Sequence, residues 1–170
     1  MDNFVEQLVQ KQKGGRDWAI SAAAVIVTVV ASVLCFLYLM PAFLIVMVGL
    51  IYASYWIISS LGREYEYCVT NGDIDIDLIV AKRSRKRIVS VRGSKIESLE
   101  PFSGKVPGGF DRTVMAVSSP AAKGCWRFTY RSKKNGHTQV IFEPNDAVLN
   151  ELVSGLSRPM QVAVNQQRMG

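Results

Sequence analysis

The chain has 170 residues, three cysteines and a formal net charge of +6. Its length fits one ordinary domain, and an odd number of cysteines without a CxxC spacing argues against a disulfide framework or a zinc site. Residues 18–61 contain no Asp, Glu, Lys, Arg or His, so the chain is not a uniformly water-soluble globule.

The first 16 residues precede this apolar run and carry balanced charges. Phe4, Val5, Leu8 and Val9 fall at helical spacing, which suits a short amphipathic turn on a membrane surface. A frayed polar terminus accounts for the same residues equally well. The sequence therefore predicts residues 1–16 to be a cytoplasmic N-terminal segment, with both conformations open.

The apolar run predicts a transmembrane helical hairpin over residues 17–61. One crossing of the bilayer needs about 20 apolar residues, and this run is long enough for two. Pro41 cannot continue a helix and lies near the middle of the run, so the spans are predicted at about 18–39 and 42–61. A signal peptide has an apolar region of only about 7–15 residues, which makes it a poorer explanation.

The flanking charges predict the orientation of the hairpin. Lys11, Lys13 and Arg16 precede the first span, Arg63 follows the second, and no charge lies near Pro41. Positive flanks stay on the cytoplasmic side, so the chain is predicted to be a multi-pass protein of the cell (inner) membrane with both termini cytoplasmic. Neither span has an ionisable residue, which indicates an anchor rather than a transport path.

From residue 62 the pattern changes to the period of two that is typical of half-buried strands. The pair Asn71-Gly72 predicts a tight hairpin turn. A second turn is predicted at 83–86, in a register that places Asp77 opposite Arg92. Residues 103–110 are rich in Gly and Pro and predict a loop.

The end of the chain predicts one amphipathic helix. Asn145 is a suitable N-cap, and apolar residues follow at helical spacing. The fold prediction is thus a two-helix transmembrane hairpin followed by a mainly-β domain at 62–157 with about seven antiparallel strands and a C-terminal α-helix, then a disordered tail at 158–170. The helix is expected to bury Val148, Leu149, Leu152, Val153 and Leu156.

Two apolar spans lead directly into Tyr65-x-Tyr67-x-x-Thr70-Asn71-Gly72, then Ile74-x-Ile76, a basic turn and Ile88-x-x-Val91. This succession resembles the bacterial membrane-anchored PH-like domain proteins, and it is also similar to an uncharacterised family of small two-pass bacterial membrane proteins. The resemblance covers roughly residues 18–157. It implies a PH-like β barrel, a membrane and a bacterial source, but no activity.

The strongest local signal is residues 82–87, called the basic run below, which contain five cations in six residues at a predicted hairpin tip. Such a run near a membrane attracts anionic lipid headgroups at about 1 kcal/mol per residue. A solvated turn that only enforces cytoplasmic placement is the alternative. Nucleic acid is not expected, because the run has no interleaved aromatic residue. The candidate lipid contacts are Lys82, Arg83, Arg85, Lys86 and Arg87.

Other polar residues give no catalytic or metal signature. Alternate residues of a strand lie about 6.8 Å apart. Asp73 and Asp77 are two such steps apart, which is too far for them to share one cation. His137 is the only histidine and follows a turn, and residues 104–110 lack the spacing of a phosphate-binding loop. The sequence predicts no catalytic, cofactor or metal site, and hence no enzyme.

The predicted function is a non-enzymatic, membrane-anchored PH-like binding module at the cytoplasmic face. It would recognise a protein partner, with the loop at 103–112 as a candidate site, or the anionic membrane surface. An accessory subunit of a larger transport or envelope complex is one alternative. A lipid or small-molecule site in the barrel mouth is another. The small residues of Gly49-x-x-x-Ala53 serve either packing of the two spans or a homodimer.

Overall fold

A computed structural model describes residues 3–38 and 40–169, so predictions for residues 1, 2, 39 and 170 lie outside it. The predicted end of the first span, at Leu39, is one of them. The chain forms two compact units. The helical unit comprises Gln12–Arg63 and Val80–Ser84, and the β domain comprises residues 3–11, 64–79 and 85–169.

The helical unit contains α1 (Gly15–Tyr38) and α2 (Phe43–Ser60), joined through a single 3₁₀ turn at Met40–Ala42. Both helices are long and apolar enough to cross a membrane. At about 1.5 Å per residue they measure about 36 and 27 Å, close to the thickness of a bilayer core. The hydroxyl groups of Thr28 and Ser54 hydrogen-bond to each other between the helices.

The β domain contains two four-stranded sheets. Sheet A has the order β1-β2-β3-β4, and sheet B has the order β5-β7-β8-β6. A 3₁₀ turn at Gly93–Lys95 connects the two sheets. The strands are β1 (Phe4–Gln10), β2 (Arg63–Thr70), β3 (Asp73–Val80), β4 (Ser84–Val91), β5 (Ile96–Pro101), β6 (Arg112–Ala116), β7 (Trp126–Ser132) and β8 (Gly136–Phe142).

These sheets do not close into the predicted barrel. In the described residues the outer strands of sheet A, β1 and β4, form no ladder with the outer strands of sheet B, β5 and β6. Strand β6 also departs from the predicted antiparallel order, because it pairs parallel with β8 from Arg112↔Thr138 to Ala116↔Phe142. In the described residues no closed barrel surrounds the mouth that was one alternative ligand site, and that alternative stays a prediction.

The N-terminal segment is a strand of sheet A rather than a surface turn or a frayed end. Strand β1 pairs antiparallel with β2, from Phe4↔Thr70 to Gln10↔Glu64. Val9 is buried and Val5 packs against the core, so the apolar residues follow a strand period on this face. Along the chain, the α1–α2 hairpin therefore connects two strands that are neighbours in one sheet.

Tyr67 joins the two sheets through a hydrogen-bonded hydroxyl in the core. Its side chain is fully buried and packs edge-on against Phe142, with 5.9 Å between ring centroids. The hydroxyl accepts the Glu143 N–H at 3.2 Å and donates to the Ala116 carbonyl. The buried hydroxyl is therefore satisfied both as a hydrogen-bond donor and as an acceptor.

The hairpin between β3 and β4 turns earlier than the sequence indicates. The turn comprises residues 81–83, and β4 begins at Ser84, inside the predicted 83–86 turn. Ala81 and Lys82 have φ values of 55° and 56°, a left-handed conformation that these residue types rarely adopt. The shift pairs Asp77 with Arg87 at 3.0 Å, so the predicted pairing with Arg92 is wrong.

The domain ends with two helices, α3 (Asp146–Ser154) and α4 (Arg158–Met169). The N-cap prediction is confirmed, since the Asn145 side chain accepts the Val148 N–H at 2.8 Å. The prediction of disorder at 158–170 is wrong for residues 158–169. Val164 of α4 is fully buried and Met160 packs against the core. This apolar packing stabilises the helix in an otherwise polar segment. All five residues expected to be buried by the predicted helix are buried.

Candidate functional site

The tip of the β3–β4 hairpin lies against the last turns of α2 within the helical unit. The Ala81 N–H donates to the Gly62 carbonyl at 2.8 Å. The guanidinium of Arg83 lies 5.9 Å from the centroid of the Tyr55 ring and donates to Ser59 Oγ at 3.5 Å. Cation–π contact of this kind contributes about 0.5–1 kcal/mol at exposed sites. One cation of the basic run, Arg83, is therefore held at the C-terminal end of an apolar helix.

The next two arginines of the run are engaged in the β domain. Arg87 pairs with Asp77 at 3.0 Å and with Asp75 at 2.9 Å. Arg85 pairs with Glu66 and lies 3.9 Å from Asp77. The carboxylates of Asp77, first, and Asp75 raise the pKa of Arg87 further above its ordinary value. Arg85 and Arg87 thus neutralise acidic side chains of the sheet, which lowers their capacity for lipid phosphate.

Glu66 is an unusual member of this cluster because it is only 3% exposed. Burial, first, and a hydrogen bond with Glu6 raise the pKa of the Glu66 carboxyl, against the opposing effect of Arg85. The folded state therefore holds a proton on Glu66 at pH values where the unfolded chain has released it. Stability from this group is present at low pH and is lost as the pH rises through the folded pKa.

Glu66→Gln is expected to raise the melting temperature at pH 7.5 and to raise it by less at pH 5, because the amide keeps the hydrogen bond and has no charge for burial to disfavour. Thermal unfolding of the full chain in detergent at both pH values measures this. Glu151→Gln is the control, since Glu151 makes no ion pair in the described structure. A lower melting temperature for Glu66→Gln at pH 7.5 would contradict the assignment.

The other polar residues considered in the sequence form no ion pair with Glu66, Arg85 or Arg87 in the described structure. Lys82 and Lys86 are exposed and form no ion pair within the described ranges. Asp73 accepts the Gly93 N–H at 3.0 Å, and His137 Nε2 lies 3.2 Å from Glu97. Among residues 3–38 and 40–169, no three His, Cys, Asp or Glu side chains are grouped closely enough to hold a metal ion.

The loop between β5 and β6 contains the predicted partner site at 103–112. Its residues 103–109 are exposed, and it is attached to sheet B at two points. The buried Gln139 side chain donates to the Pro107 carbonyl at 2.9 Å, and Asp111 accepts the His137 N–H at 2.7 Å. The loop is thus exposed to solvent and is hydrogen-bonded to sheet B at these two points. Its role as a partner site stays a prediction.

A polar cleft of about 610 Å³ in the β domain was not predicted from the sequence. It is bounded by the β2–β3 turn, the β4–β5 connection and the β7–β8 turn. These segments are far apart in the chain, so no local motif announces the cleft. Its charged lining residues are Asp73, Asp75, Arg92, Lys95, Arg131 and Lys133.

Two layers of β-strands with a C-terminal helix packed into their core define a PH-like domain, a class of generally non-catalytic binding modules. The chain belongs to the family described as Bacterial PH-like domain (DUF6106), whose model matches residues 1–161. The matched region includes β1, both apolar helices and the β domain as far as the first turn of α4, and it confirms the resemblance found in the sequence. No curated protein and no solved structure matches the chain.

Proposed function

We propose that the protein is a membrane-anchored binding module whose β domain lies at the cytoplasmic face and whose β3–β4 tip contacts anionic lipid headgroups. The observation that carries this proposal is the attachment of the tip to the end of α2 through Ala81 and Arg83. A cation fixed to the end of a membrane-spanning helix lies at the depth of the headgroups.

The pairing of β1 with β2 supports the two-crossing topology. Because both strands belong to one sheet, the chain before α1 and the chain after α2 lie on the same side of the membrane. Two crossings satisfy this condition, and one does not. The basic flanks Lys11, Lys13, Arg16 and Arg63 favour the cytoplasmic side for both, with the uncharged turn at Pro41 outside.

The ion pairs in sheet A change which residues of the basic run serve the lipid contact. Arg85 and Arg87 are occupied by carboxylates, whereas Lys82, Arg83 and Lys86 have no acidic partner in the described structure. At about 1 kcal/mol per cation, three residues supply about 3 kcal/mol. The helices already anchor the chain, so this energy orients the domain rather than recruiting it to the membrane.

Chemical acetylation of lysines in the full chain tests the contact. The protein is placed in nanodiscs of phosphatidylcholine alone or with one-third phosphatidylglycerol, and each lysine is followed by mass spectrometry. We expect Lys82 to react several-fold more slowly in the anionic discs, because headgroup phosphates cover its amine. High salt screens such contacts and should remove the protection.

Lys134 is the matched control, because it is an exposed turn lysine outside the proposed contact. Its rate should be the same in both discs. Equal reaction rates of Lys82 in the two lipid compositions would overturn the lipid contact and direct the search to a protein partner.

A further inference from the structure

Two carboxyl groups meet on the outer face of sheet A, where β1 pairs with β2. Glu6 lies opposite Cys68 in the register, and Glu66 lies two residues before Cys68, so the three side chains project from the same face of the sheet. Glu6 is exposed, whereas Glu66 is buried, and their side chains are hydrogen-bonded to each other. Because an ionised carboxylate only accepts hydrogen bonds, this bond requires a proton on one of the two groups.

The cations on this face are too few to neutralise its acids. Glu66 is faced by charged groups from the other three strands, Glu6 of β1, Asp77 of β3 and Arg85 of β4, and by the Cys68 thiol of its own strand. Four carboxyl groups share two guanidinium groups, and Glu6 forms no ion pair within the described ranges. The carboxyl groups are those of Glu6, Glu66, Asp75 and Asp77, and the guanidinium groups are those of Arg85 and Arg87.

A rise in pH breaks the bond between the two carboxyl groups. Burial disfavours the charged form of Glu66 and raises the pKa of its carboxyl group. As the pH rises through this raised value, the folded domain loses the shared proton, and two negative charges then face each other across β1 and β2. The exposed Glu6 gives the proton a path to solvent. The pairing of β1 is therefore strongest at low pH and weakens as the pH rises.

Strand β1 is placed so that it can be released without the rest of the sheet. It is an outer strand of sheet A and pairs only with β2 in the described structure. Its other attachments are the apolar contacts of Val5 and Val9 and two hydrogen bonds from Gln7 to the connection between β8 and α3. In the chain, β1 is followed after residues 11–14 by α1. The strand thus connects the β domain to the first membrane-spanning helix.

From this arrangement we infer that Glu6 and Glu66 form a proton-dependent latch, which holds β1 on sheet A while the pair shares a proton and loosens β1 when the proton is lost. The latch is separate from the lipid contact of the β3–β4 tip and adds a regulatory device to the module. Loosening of β1 uncovers the edge of β2 and the core beneath Val9, so the surface that the domain offers changes with pH.

Hydrogen–deuterium exchange of the full chain in detergent tests the latch, with mass spectrometry of peptides from each strand. Rates are corrected for the intrinsic pH dependence of amide exchange. We expect the protection of β1 to fall about tenfold between pH 5 and pH 8, because linkage to one proton changes an opening equilibrium by at most about tenfold per pH unit. Strand β8 should stay better protected than β1 at both pH values. Constant protection of β1 would overturn the inference, and so would equal protection of β1 and β8 at pH 8, which indicates global unfolding.

Three variants identify the groups that hold the proton. Glu66→Gln should abolish the pH dependence of β1 protection, and Glu6→Gln should reduce it, because the amide can donate to an ionised Glu66. Glu64→Gln is the matched control and should keep the native pH dependence. Glu64 also lies on β2 opposite β1, but it accepts a hydrogen bond from the Gln10 amide at 2.9 Å, which needs no shared proton. Native pH dependence in Glu6→Gln, or its loss in Glu64→Gln, would contradict the latch.

Discussion

A soluble fragment that begins at residue 64 is expected to be far less stable than one that also contains β1. Removing β1 exposes the core beneath Val9, which is 7% exposed in the native domain, and beneath Val5. It also removes Gln7, whose side chain donates to the Glu143 carbonyl at 2.9 Å and accepts the Asn145 N–H at 2.7 Å. One buried valine and two hydrogen bonds together contribute about 4 kcal/mol.

The sharp comparison uses two fragments without membrane helices. One contains residues 64–170, and the other joins residues 3–10 to 64–170 through Asn-Gly, a two-residue hairpin turn that replaces the helices. Urea unfolding followed by circular dichroism measures both. The joined fragment carrying Val5→Asn and Val9→Asn is the length-matched control and should resemble the shorter one. Equal unfolding midpoints for the two parent fragments would contradict the role of β1.

Gly155→Ala is expected to destabilise the β domain strongly, because three glycines meet where α3 ends. A Cβ at Gly155 would lie 2.4 Å from Gly72 Cα, and a Cβ at Gly93 would lie 2.4 Å from the Gly72 carbonyl oxygen. Gly155 has an ordinary φ of −85°, so its requirement is space alone. Overpacking typically costs about 1–3 kcal/mol, and contact of backbone with backbone places this site at or above the upper end.

Gly108→Ala is the matched control, because a Cβ at Gly108 would have no atom within 4 Å. Pulse proteolysis of the full chain in detergent across a urea series compares the two variants. We expect a large drop in the unfolding midpoint for Gly155→Ala and almost none for Gly108→Ala. Similar midpoints would show that the helix end and the hairpin turn separate easily, contrary to the close packing described.

Local signals predicted those parts of the fold that local chemistry determines. The Asn71-Gly72 turn was predictable because positive φ at both positions, 51° and 81°, is what these two residue types tolerate. The turn at 81–83 was not, because Ala81 and Lys82 carry no sign of a left-handed conformation. The predicted register of β3 and β4 is consequently shifted, and it does not predict the ion pairs of Arg85 and Arg87.

Non-local pairing accounts for the other differences. The apolar residues of 4–9 suit a helix or a strand, and only the partner strand more than fifty residues later decides between them. Val164 is likewise an isolated apolar residue in a polar segment, so its burial could not be inferred from its neighbours. The cations of the polar cleft come from two distant parts of the chain, so no local run of charge in the sequence indicates them.

The topology of the α1–α2 hairpin is open to a direct test, because β1 and β2 can pair in one sheet only if the two flanks of the hairpin lie on one side of the membrane. Green fluorescent protein fused to either end of the chain fluoresces only in the cytoplasm, and alkaline phosphatase inserted after Ala42 is active only outside it. We expect fluorescence at both ends and phosphatase activity at Ala42 in bacterial cells. Fluorescence at one end only, with the other end exported, would contradict it.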